Sequence, residues 1–499
     1  MSSPKAFIAR VFFVALILRV IPVILSRGLG IGLDDMFQYD MLARSIVSGN
    51  GYRWYTLPDL ARLEAFVHFD LSSVPNYDPK RGVPTSFRAP LYPVFLALVY
   101  AVSGTDFTRF FAARLAQAIL LGAPLAPLTY LVSRKFLQRM NASRQSLEKE
   151  PSGNNQIERA SRTAASLVAL YPILVIFPLG LGTENLFFPL ILLSILFLLK
   201  SSESPTIFNF LFSGFLLGLT ALTRSIILLF VVFVIFWIWF SLKEKRGTLL
   251  TLLAFALTIA PWIVRNSLLY GHLTGIETSL GYNLYVGYHP LSTGTFTFGP
   301  SLDLVPILSD SVRDHLGMQK ALEFIQADPA RFPYLALRRL GYFFNLELRA
   351  LTYFYSNNLF GYIPAPLLLA AAALFGLPFA ILTLSAVFGV LLLARSSVTL
   401  LFVLLFIGYL LPHVFILSEE RFHLTLIPFF AILAAQLWTL GLPALKARFR
   451  TSRMIRLAFS LACLVALLLI FNWTYQFTGD SAKYIMLLGP YGNQTYLPY

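Results

Sequence analysis

Charged residues are scarce in this 499-residue sequence. Asp, Glu, Lys and Arg make up 13% of it, 57% is hydrophobic, and the mean hydropathy is +0.70. An ordinary soluble domain carries about 25% charged residues, so this chain has few groups with which to cover a water-facing surface. The composition therefore excludes a soluble globular enzyme and a disordered chain. Long apolar runs recur from Ala6 to Trp473, which predicts an all-α polytopic membrane protein.

Cysteine and the common cofactor motifs are also nearly absent. The single Cys463 lies in an apolar run, which excludes a disulfide framework and a cysteine-based metal site. The six histidines show no HExxH or comparable metal spacing, and no GxGxxG or Walker sequence indicates a soluble nucleotide. Basic residues outnumber acidic ones by 39 to 24. In a membrane protein this excess indicates cytoplasmic loops and anionic ligands rather than nucleic acid.

Length and hydropathy predict about eleven membrane spans. They are residues 6–27, 110–133, 163–181, 185–200, 207–223, 226–242, 248–264, 365–394, 398–417, 422–442 and 457–473. The first apolar stretch is longer than the core of a signal peptide and has no clear cleavage site after it, so we interpret it as a retained span. A further apolar stretch, Pro90 to Ser103, would reach about 21 Å as a helix, short of the roughly 30 Å hydrocarbon core.

Basic residues predict the orientation of these spans. The loop 134–162 holds seven of them and should be cytoplasmic, as should the N-terminus with Lys5 and Arg10. Two spans between the N-terminus and this loop place both on the cytoplasmic side, whereas three spans would place the loop outside. Residues 90–103 are therefore expected to form a juxtamembrane or re-entrant helix rather than a third span. The basic loops 243–246 and 446–456 then also lie inside.

The predicted protein is thus one multi-pass domain, residues 1–499, in a plasma or inner membrane. Its N-terminus is cytoplasmic. Two large loops, residues 28–109 and 265–364, and a short tail, residues 474–499, face the extracytoplasmic side. Any site built from these segments would lie on that side.

Charged and amide side chains gather at the predicted outer ends of the spans. They are Asp34, Asp35, Arg88, Glu184, Arg224, Arg265, Asn266, Glu419, Glu420 and Arg421. A charge within the bilayer costs about 2.5–3.5 kcal/mol on insertion scales, so the presence of each charged residue near a span has to be explained. Singly, the acids can cap helices or favour a helix N-terminus, and the arginines can anchor the interface. Jointly, they suit an anionic ligand and a general base, because the planar arginine fork fits phosphate oxygens.

Three tyrosines stand close together in the second outer loop. Tyr282, Tyr285 and Tyr288 lie within the segment GYNLYVGYHP. They could stack on a sugar or form the core of a folded loop, and the sequence alone leaves both interpretations open.

Six motifs follow one another on the predicted outer face. They are DDMFQYDMLARSIVSGNGY from Asp34, FRAPLYPVFLA from Phe87, GTENL around Glu184, LTALTR ending at Arg224, PWIVRNSLLYG from Pro261 with GYNLYVGYHP after it, and EERFHLTLIP from Glu419. In this order they resemble the GT-C superfamily of integral-membrane glycosyltransferases. The likeness is to the branch of protein O-mannosyltransferases and lipid A aminoarabinose transferases, and it runs along most of the chain. Phe422 stands where that family usually has tyrosine.

The resemblance implies a fold and a reaction. The GT-C fold has about eleven transmembrane helices and two large extracytoplasmic loops with juxtamembrane helices. The donor would be a hexose or pentose on a polyprenyl phosphate, and its transfer to an acceptor hydroxyl would invert the anomeric centre. Asp35 matches the family's catalytic aspartate by its spacing to Tyr39 and Ala43, with Asp34 as the second candidate.

The resemblance also suggests roles for the other charged positions. Arg88, Arg224, Arg265 and Arg421 would bind the donor phosphate. Glu184 would orient the acceptor or hold a divalent cation, and metal use stays open. We assign further substrate contacts to Asn266, Tyr282, Tyr285 and Glu420.

Two other functions remain open. A transporter or flippase of lipid-linked glycan intermediates would bind a headgroup through the same charges, although acids deep within spans or inverted repeats would then be expected. A non-catalytic subunit of a glycan-synthesising complex is the other. For the glycosyltransferase, a lipid-linked or cell-envelope glycan is favoured over a protein as acceptor, because only 26 residues follow Trp473. Membrane lipids are the remaining expected partners.

Overall fold

The computed structural model describes residues 3–71, 74, 77–145, 153–348, 363–451, 453–482 and 485. Their regular structure is almost entirely helical. The α-helices are α1 (Pro4–Leu25), α2 (Asp35–Val47), α3 (Leu57–Leu63), α4 (Leu91–Ser103), α5 (Arg109–Ala116), α6 (Leu125–Gln145), α7 (Asn154–Leu170), α8 (Pro172–Ile176), α9 (Glu184–Glu203), α10 (Ile207–Thr223), α11 (Leu228–Phe236), α12 (Lys245–Tyr270), α13 (Leu280–Tyr288), α14 (Asp310–Ala327), α15 (Arg331–Phe343), α16 (Ala365–Gly389), α17 (Ser397–Phe415), α18 (Ile427–Thr451) and α19 (Arg453–Gly479).

Shorter elements join these helices. The π-helical turns are Gln117–Gly122 and Trp237–Leu242, and the 3-10 turns are Phe177–Leu179, Ser225–Ile227, Val390–Leu392 and Glu420–Leu426. Two short strands, β1 (Arg53–Trp54) and β2 (Val83–Pro84), pair antiparallel with Arg53 opposite Pro84. Parts of five predicted segments lie outside the described residues, namely 72–73 and 75–76 of the first outer loop, 146–152 of the basic loop 134–162, 349–362 of the second outer loop, 452 of the basic loop 446–456, and 483–484 and 486–499 of the tail.

The all-α polytopic architecture is confirmed. Within the described ranges, nine helical segments are long and apolar enough to cross a membrane: Pro4–Leu25, Arg109–Ala142, Glu184–Glu203, Ser225–Leu242, Lys245–Tyr270, Ala365–Leu392, Ser397–Phe415, Glu420–Gly441 and Arg453–Gly479. A bent pair of helices supplies a tenth candidate. The eleventh expected span coincides with α10, whose 17 residues fall short of that length. The count of eleven is therefore not confirmed.

The expected span at 163–181 is two helices that meet at an angle. α7 and the segment Pro172–Leu179 are bent by 54°, because Pro172 has no backbone N–H with which to continue the helix. The carbonyls left at the end of α7 are bound by Arg19 from α1, whose Nη2 donates to Val168 O at 3.1 Å and whose Nη1 donates to Ala169 O at 3.2 Å. A buried arginine within an apolar helix thus has a structural purpose at this break.

The short helix α4 supports the helix that begins with Asp35. α4 has 13 residues and extends about 20 Å, and its placement beside the membrane stays a prediction. Tyr92 of α4 packs edge-on against Tyr39 of α2, with ring centroids 5.1 Å apart. Both rings belong to a buried cluster between these helices, which fixes the position of α2.

The main apolar core lies among the long helices, whereas α1 turns an apolar face outward. Phe136, Ile191 and Phe402 are fully or almost fully buried in that core. On α1, Phe13 and Ile17 are among several large apolar side chains that are more than half exposed. This distribution is that of a helix bundle with an apolar surround.

The two large outer loops are tied together. Asp310, at the start of α14, is buried, and its Oδ2 accepts hydrogen bonds from Thr85 Oγ1 at 2.5 Å and from Ser86 N at 2.9 Å. Thr278 N in turn donates to Ser86 O at 3.0 Å. The segment 85–88, which carries Arg88, is therefore held by residues from the second loop.

Candidate active site

Asp34 and Asp35 have different roles at the start of α2. The Oδ1 atom of Asp34 accepts a hydrogen bond from Met36 N at 2.8 Å, so Asp34 is the N-cap of the helix. Asp35 is the first helical residue, and its side chain is 32% exposed. The cap engages Asp34 with the backbone and leaves the Asp35 carboxylate available to other side chains.

Two arginines that are distant in sequence hold Asp35 from either side. Arg88 Nη2 donates to Asp35 Oδ1, and Arg421 Nη2 donates to Asp35 Oδ2 at 2.9 Å. Burial alone would raise the pKa of Asp35, but the charges of Arg88 and Arg421 outweigh it and hold that pKa well below its usual range. Asp35 is therefore ionised at neutral pH, and in this state it is a weak base.

A second ion pair lies beside the first. Arg224 Nη1 is 2.5 Å from Glu184 Oε1 and 3.3 Å from Thr183 Oγ1. Arg421 links the two pairs, because its Nε lies 3.9 Å from Glu184 Oε1 and 2.7 Å from Glu419 Oε2. The side chain of Glu184 is 4% exposed and that of Arg421 is 38% exposed. The result is a network of alternating charges with Arg421 at its open side.

This network lines a cavity of about 430 Å³, which we call the first cavity. Its charged lining includes Asp34, Asp35, Arg88, Glu184, Arg224, Glu277, Glu419 and Arg421. These side chains come from the start of α2, the segment before α4, the start of α9, the residue after α10, the second outer loop and the segment that joins α17 to α18. Seven of the ten charged and amide side chains that the sequence places at the outer ends of the spans therefore line this one cavity.

Arg265 and Asn266 are not brought to the first cavity. Arg265 donates to the carbonyls of Thr85 at 2.5 Å and Tyr52 at 3.2 Å, and its guanidinium lies 4.8 Å from the ring centroid of Trp262. Asn266 is fully buried and donates to Gly275 O at 2.8 Å. In this position both residues attach the outer loops to the end of α12.

The loop tyrosines divide between a cavity position and a packing position. Tyr282 lines the first cavity, and its hydroxyl donates to Ser301 O at 2.7 Å. Tyr285 is buried outside that cavity and donates to Asp303 Oδ2 at 2.8 Å. Tyr288 is also buried and donates to Phe415 O at 2.7 Å. Of these three loop tyrosines, only Tyr282 is therefore placed to touch a ligand in the first cavity.

Two residues of the site were not singled out from the sequence. Gln38 Oε1 accepts a hydrogen bond from Arg88 Nε at 2.8 Å, and its spacing of three residues from Asp35 on one helix was a usable signal. Glu277 lines the first cavity, where its Oε1 accepts from Ser225 N at 3.1 Å and its Oε2 from Ser279 Oγ at 3.1 Å. Glu277 lies in an irregular segment and has no periodicity that would have indicated it.

The described residues of the candidate active site do not form a set of ligands for a divalent cation. Over the part of the chain that the structure describes, no group of three or more His, Cys, Asp or Glu side chains is arranged to hold a metal ion. Glu184, which the sequence suggests as a ligand, is engaged with Arg224.

The chain is similar to two solved structures of one enzyme. Neither a family model nor a curated protein matches it. ArnT from Cupriavidus metallidurans bound to undecaprenyl phosphate matches with a TM-score of 0.39 and 13% identity, over 90% of this chain and 80% of that chain. The apo form matches with a TM-score of 0.35 at the same identity and coverage. A likeness at this level assigns neither a donor nor an acceptor to this chain.

Proposed function

We propose that this protein is an inverting glycosyltransferase of the extracytoplasmic membrane face, which moves a hexose or pentose from a polyprenyl phosphate to an acceptor hydroxyl. The observation that carries the proposal is the Asp35 carboxylate, held between Arg88 and Arg421 in the wall of the first cavity. A carboxylate facing a cavity can accept a proton. Permanent cations on both sides of it can bind a phosphate.

The arginines suit a lipid-linked phosphate because of where they lie. Arg224 directly follows α10, and Arg421 lies in the turn that precedes α18. The tail of a polyprenyl phosphate stays in the bilayer while its phosphate stays at the interface, so a site for it must be at helix ends. Arg88, Arg224 and Arg421 are each paired with a carboxylate, and the donor phosphate would compete with Asp35 and Glu184 for them.

That exchange gives Asp35 its basicity. The acceptor oxygen attacks C1 of the sugar, the bond from C1 to the phosphate oxygen breaks, and the acceptor proton passes to Asp35. When the phosphate draws Arg88 and Arg421 toward itself, Asp35 loses charges that lower its pKa and becomes a stronger base. Proton transfer is late in the reaction, because bond formation acidifies the hydroxyl.

The arginines stabilise the leaving group. Negative charge grows on the polyprenyl phosphate as the bond to C1 breaks, and each preorganised donor is worth about 10²–10³ in rate. Glu184 lies between Arg224 and Arg421, so we assign it to orient their guanidinium groups.

The test is turnover by the purified full-length protein. It is offered a panel of polyprenyl-phosphate sugars, and release of polyprenyl phosphate is measured for the wild type, for Asp35→Asn and for the control Asp106→Asn, which changes an exposed aspartate of the same outer loop. We expect one donor to be turned over by the wild type and the control but not by Asp35→Asn. Full activity of Asp35→Asn would refute the base assignment. Release from no donor would instead favour a transporter of lipid-linked intermediates.

A further inference from the structure

A second cavity of about 230 Å³ adjoins the first. The two share Asp34, Asp35, Tyr39, Glu184 and Arg421 in their walls. The rest of the second cavity is mostly apolar. Its apolar side chains include Ile173, Ile176, Phe177, Leu179 and Leu181 from α8 and the residues after it, and Leu424 from the turn Glu420–Leu426. A ligand in this cavity would therefore meet Asp35 from another side than a ligand in the first.

The two cavities have five carboxylates each in their walls but differ in the number of arginines. The first has Arg88 and Arg224 besides the shared Arg421. The second has no basic residue except Arg421 among its lining residues, and it adds two carboxylates, Glu347 and Glu420. A phosphate therefore meets three guanidinium groups in the first cavity and one in the second, so the first is the more favourable place for it, whereas the binding of an uncharged hydroxyl does not depend on this difference.

Glu347 is held by two donors at one of its oxygens. Tyr171 Oη donates to Glu347 Oε1 at 2.6 Å, and His423 Nε2 lies 2.8 Å from the same oxygen. His423 Nδ1 lies 2.7 Å from Phe343 O, and since a carbonyl only accepts, Nδ1 carries a hydrogen. The contact between Nε2 and Oε1 then needs a second proton, which His423 and Glu347 share.

The other oxygen of this carboxylate has no such partner. Glu347 Oε2 is buried and accepts no hydrogen bond from any described residue, and the side chain is 4% exposed. Burial raises the pKa of Glu347 against the opposing effect of His423. A purely structural pair would be complete with the contacts at Oε1. Such a pair does not explain why Glu347 Oε2 is buried beside an apolar cavity without a donor, because buried polar atoms are nearly always hydrogen-bonded.

We propose that the second cavity binds the glycosyl acceptor, an amphipathic molecule with an uncharged hydroxyl head, and that Glu347 Oε2 accepts a hydrogen bond from that head. Tyr171 and His423 fix the carboxylate in this orientation. The apolar wall receives the acceptor's apolar part, and Asp35, common to both cavities, faces the donor in the first and the acceptor in the second. The identity of the ligand as acceptor rests on the proposed function, whereas its chemical class rests on the cavity itself.

The experiment labels Glu347 with dicyclohexylcarbodiimide, an apolar reagent that modifies protonated carboxyl groups in apolar surroundings. Full-length protein in nanodiscs of uncharged lipid is treated, and the labelled residue is mapped by mass spectrometry. The probes that compete are 1-decanol, decane and decyl phosphate at equal concentration in the membrane. Glu158 is the negative control, because its carboxylate is ion-paired with Arg162 at 2.6 Å and lines neither cavity.

We expect labelling of Glu347 in the wild type and in Asp35→Asn, and its slowing by 1-decanol about tenfold, the value of one hydrogen bond to a charged or strongly polarised group. Decane and decyl phosphate should slow it little, and Glu158 should stay unlabelled with or without a probe. Absence of label on Glu347, equal protection by decane, or stronger protection by decyl phosphate would each overturn the proposal. If decanol protects Glu347 while no donor is turned over, the glycosyltransferase function fails and the ligand class of the cavity stands.

Discussion

Arg421 joins the two ion pairs of the site, and its replacement by glutamine tests whether it acts in the reaction. Its guanidinium contacts Asp35 Oδ2 at 2.9 Å and lies 3.9 Å from Glu184 Oε1. In Arg421→Gln, Asp35 keeps Arg88 and Glu184 keeps Arg224. Because Asp35 and Glu184 each keep an arginine and only the contact of Glu419 with Arg421 Nε is lost, we expect the variant to fold with lowered stability.

The expected loss follows from the two tasks of Arg421. If its fork stabilises the leaving phosphate, its removal lowers the rate by about 10²–10³, equivalent to about 2.7–4 kcal/mol. Arg421 also lowers the pKa of Asp35. Without it that pKa rises toward its usual range, and since the reaction needs ionised Asp35, the acidic fall in activity moves to higher pH. Arg421→Lys keeps the charge but not the planar fork, and should lie between the wild type and Arg421→Gln.

The assay is the release of polyprenyl phosphate as a function of pH for the wild type and both variants. The loss of rate is read at saturating donor, and the acidic limb is read from kcat/KM at donor well below KM, because kcat/KM reports the free enzyme, in which Arg421 contacts Asp35. Arg395→Gln is the matched control, since Arg395 is exposed in the turn between α16 and α17. A loss below tenfold in Arg421→Gln at neutral pH would show that the guanidinium does not serve the leaving group. An acidic limb that stays in place or moves to lower pH would refute the coupling of Arg421 to Asp35.

Three further substitutions separate structural from chemical roles. Arg19→Leu should lower the free energy of unfolding by about 1–3 kcal/mol for each buried carbonyl that loses its donor, seen as a lower unfolding temperature in detergent, with Lys5→Leu as the exposed control. Arg265→Gln should also unfold at a lower temperature, because Arg265 binds carbonyls outside the cavity. While folded, the variant should keep kcat within about tenfold of the wild type. A loss of activity as large as that of Arg421→Gln would show that Arg265 acts in the reaction. Asp34→Ala should cost about 1 kcal/mol of stability, whereas Asp34→Asn keeps a capping oxygen and should keep activity; an inactive Asp34→Asn would make Asp34 the base.

Hydropathy located the apolar helices well but not their ends. The span expected at 226–242 coincides with the helical segment Ser225–Leu242. The span expected at 110–133 continues as helix to Gln145, because a helix does not end where the bilayer does and polar residues carry it on into water. Hydropathy could not predict the bend at Pro172, since the apolar run continues on both sides of Pro172.

The gathering of Asp35, Glu184, Arg224 and Arg421 at one end of the bundle was predictable for a simple reason. Alternate spans reverse direction, so the charge before one span and the charge after the next reach the same side. What topology leaves open is the direction of each side chain within that side. Arg88 and Arg265 both belong to motifs and both lie next to aromatic residues, but Arg88 pairs with Asp35 whereas Arg265 binds the carbonyls of Thr85 and Tyr52.

The contrast between these two arginines has a general physical basis. A buried guanidinium must satisfy its donors, and it can do so with a carboxylate or with main-chain carbonyls. Carbonyls offered by a loop are fixed by that fold, so an arginine that binds them is committed to structure. A carboxylate at a cavity can give up its arginine to a phosphate, because the exchange replaces one anion by another. Arg88 and Arg421 are therefore exchangeable and Arg265 is not, and this difference depends on whether the partner oxygen belongs to an Asp side chain or to the backbone, which residue spacing alone does not encode.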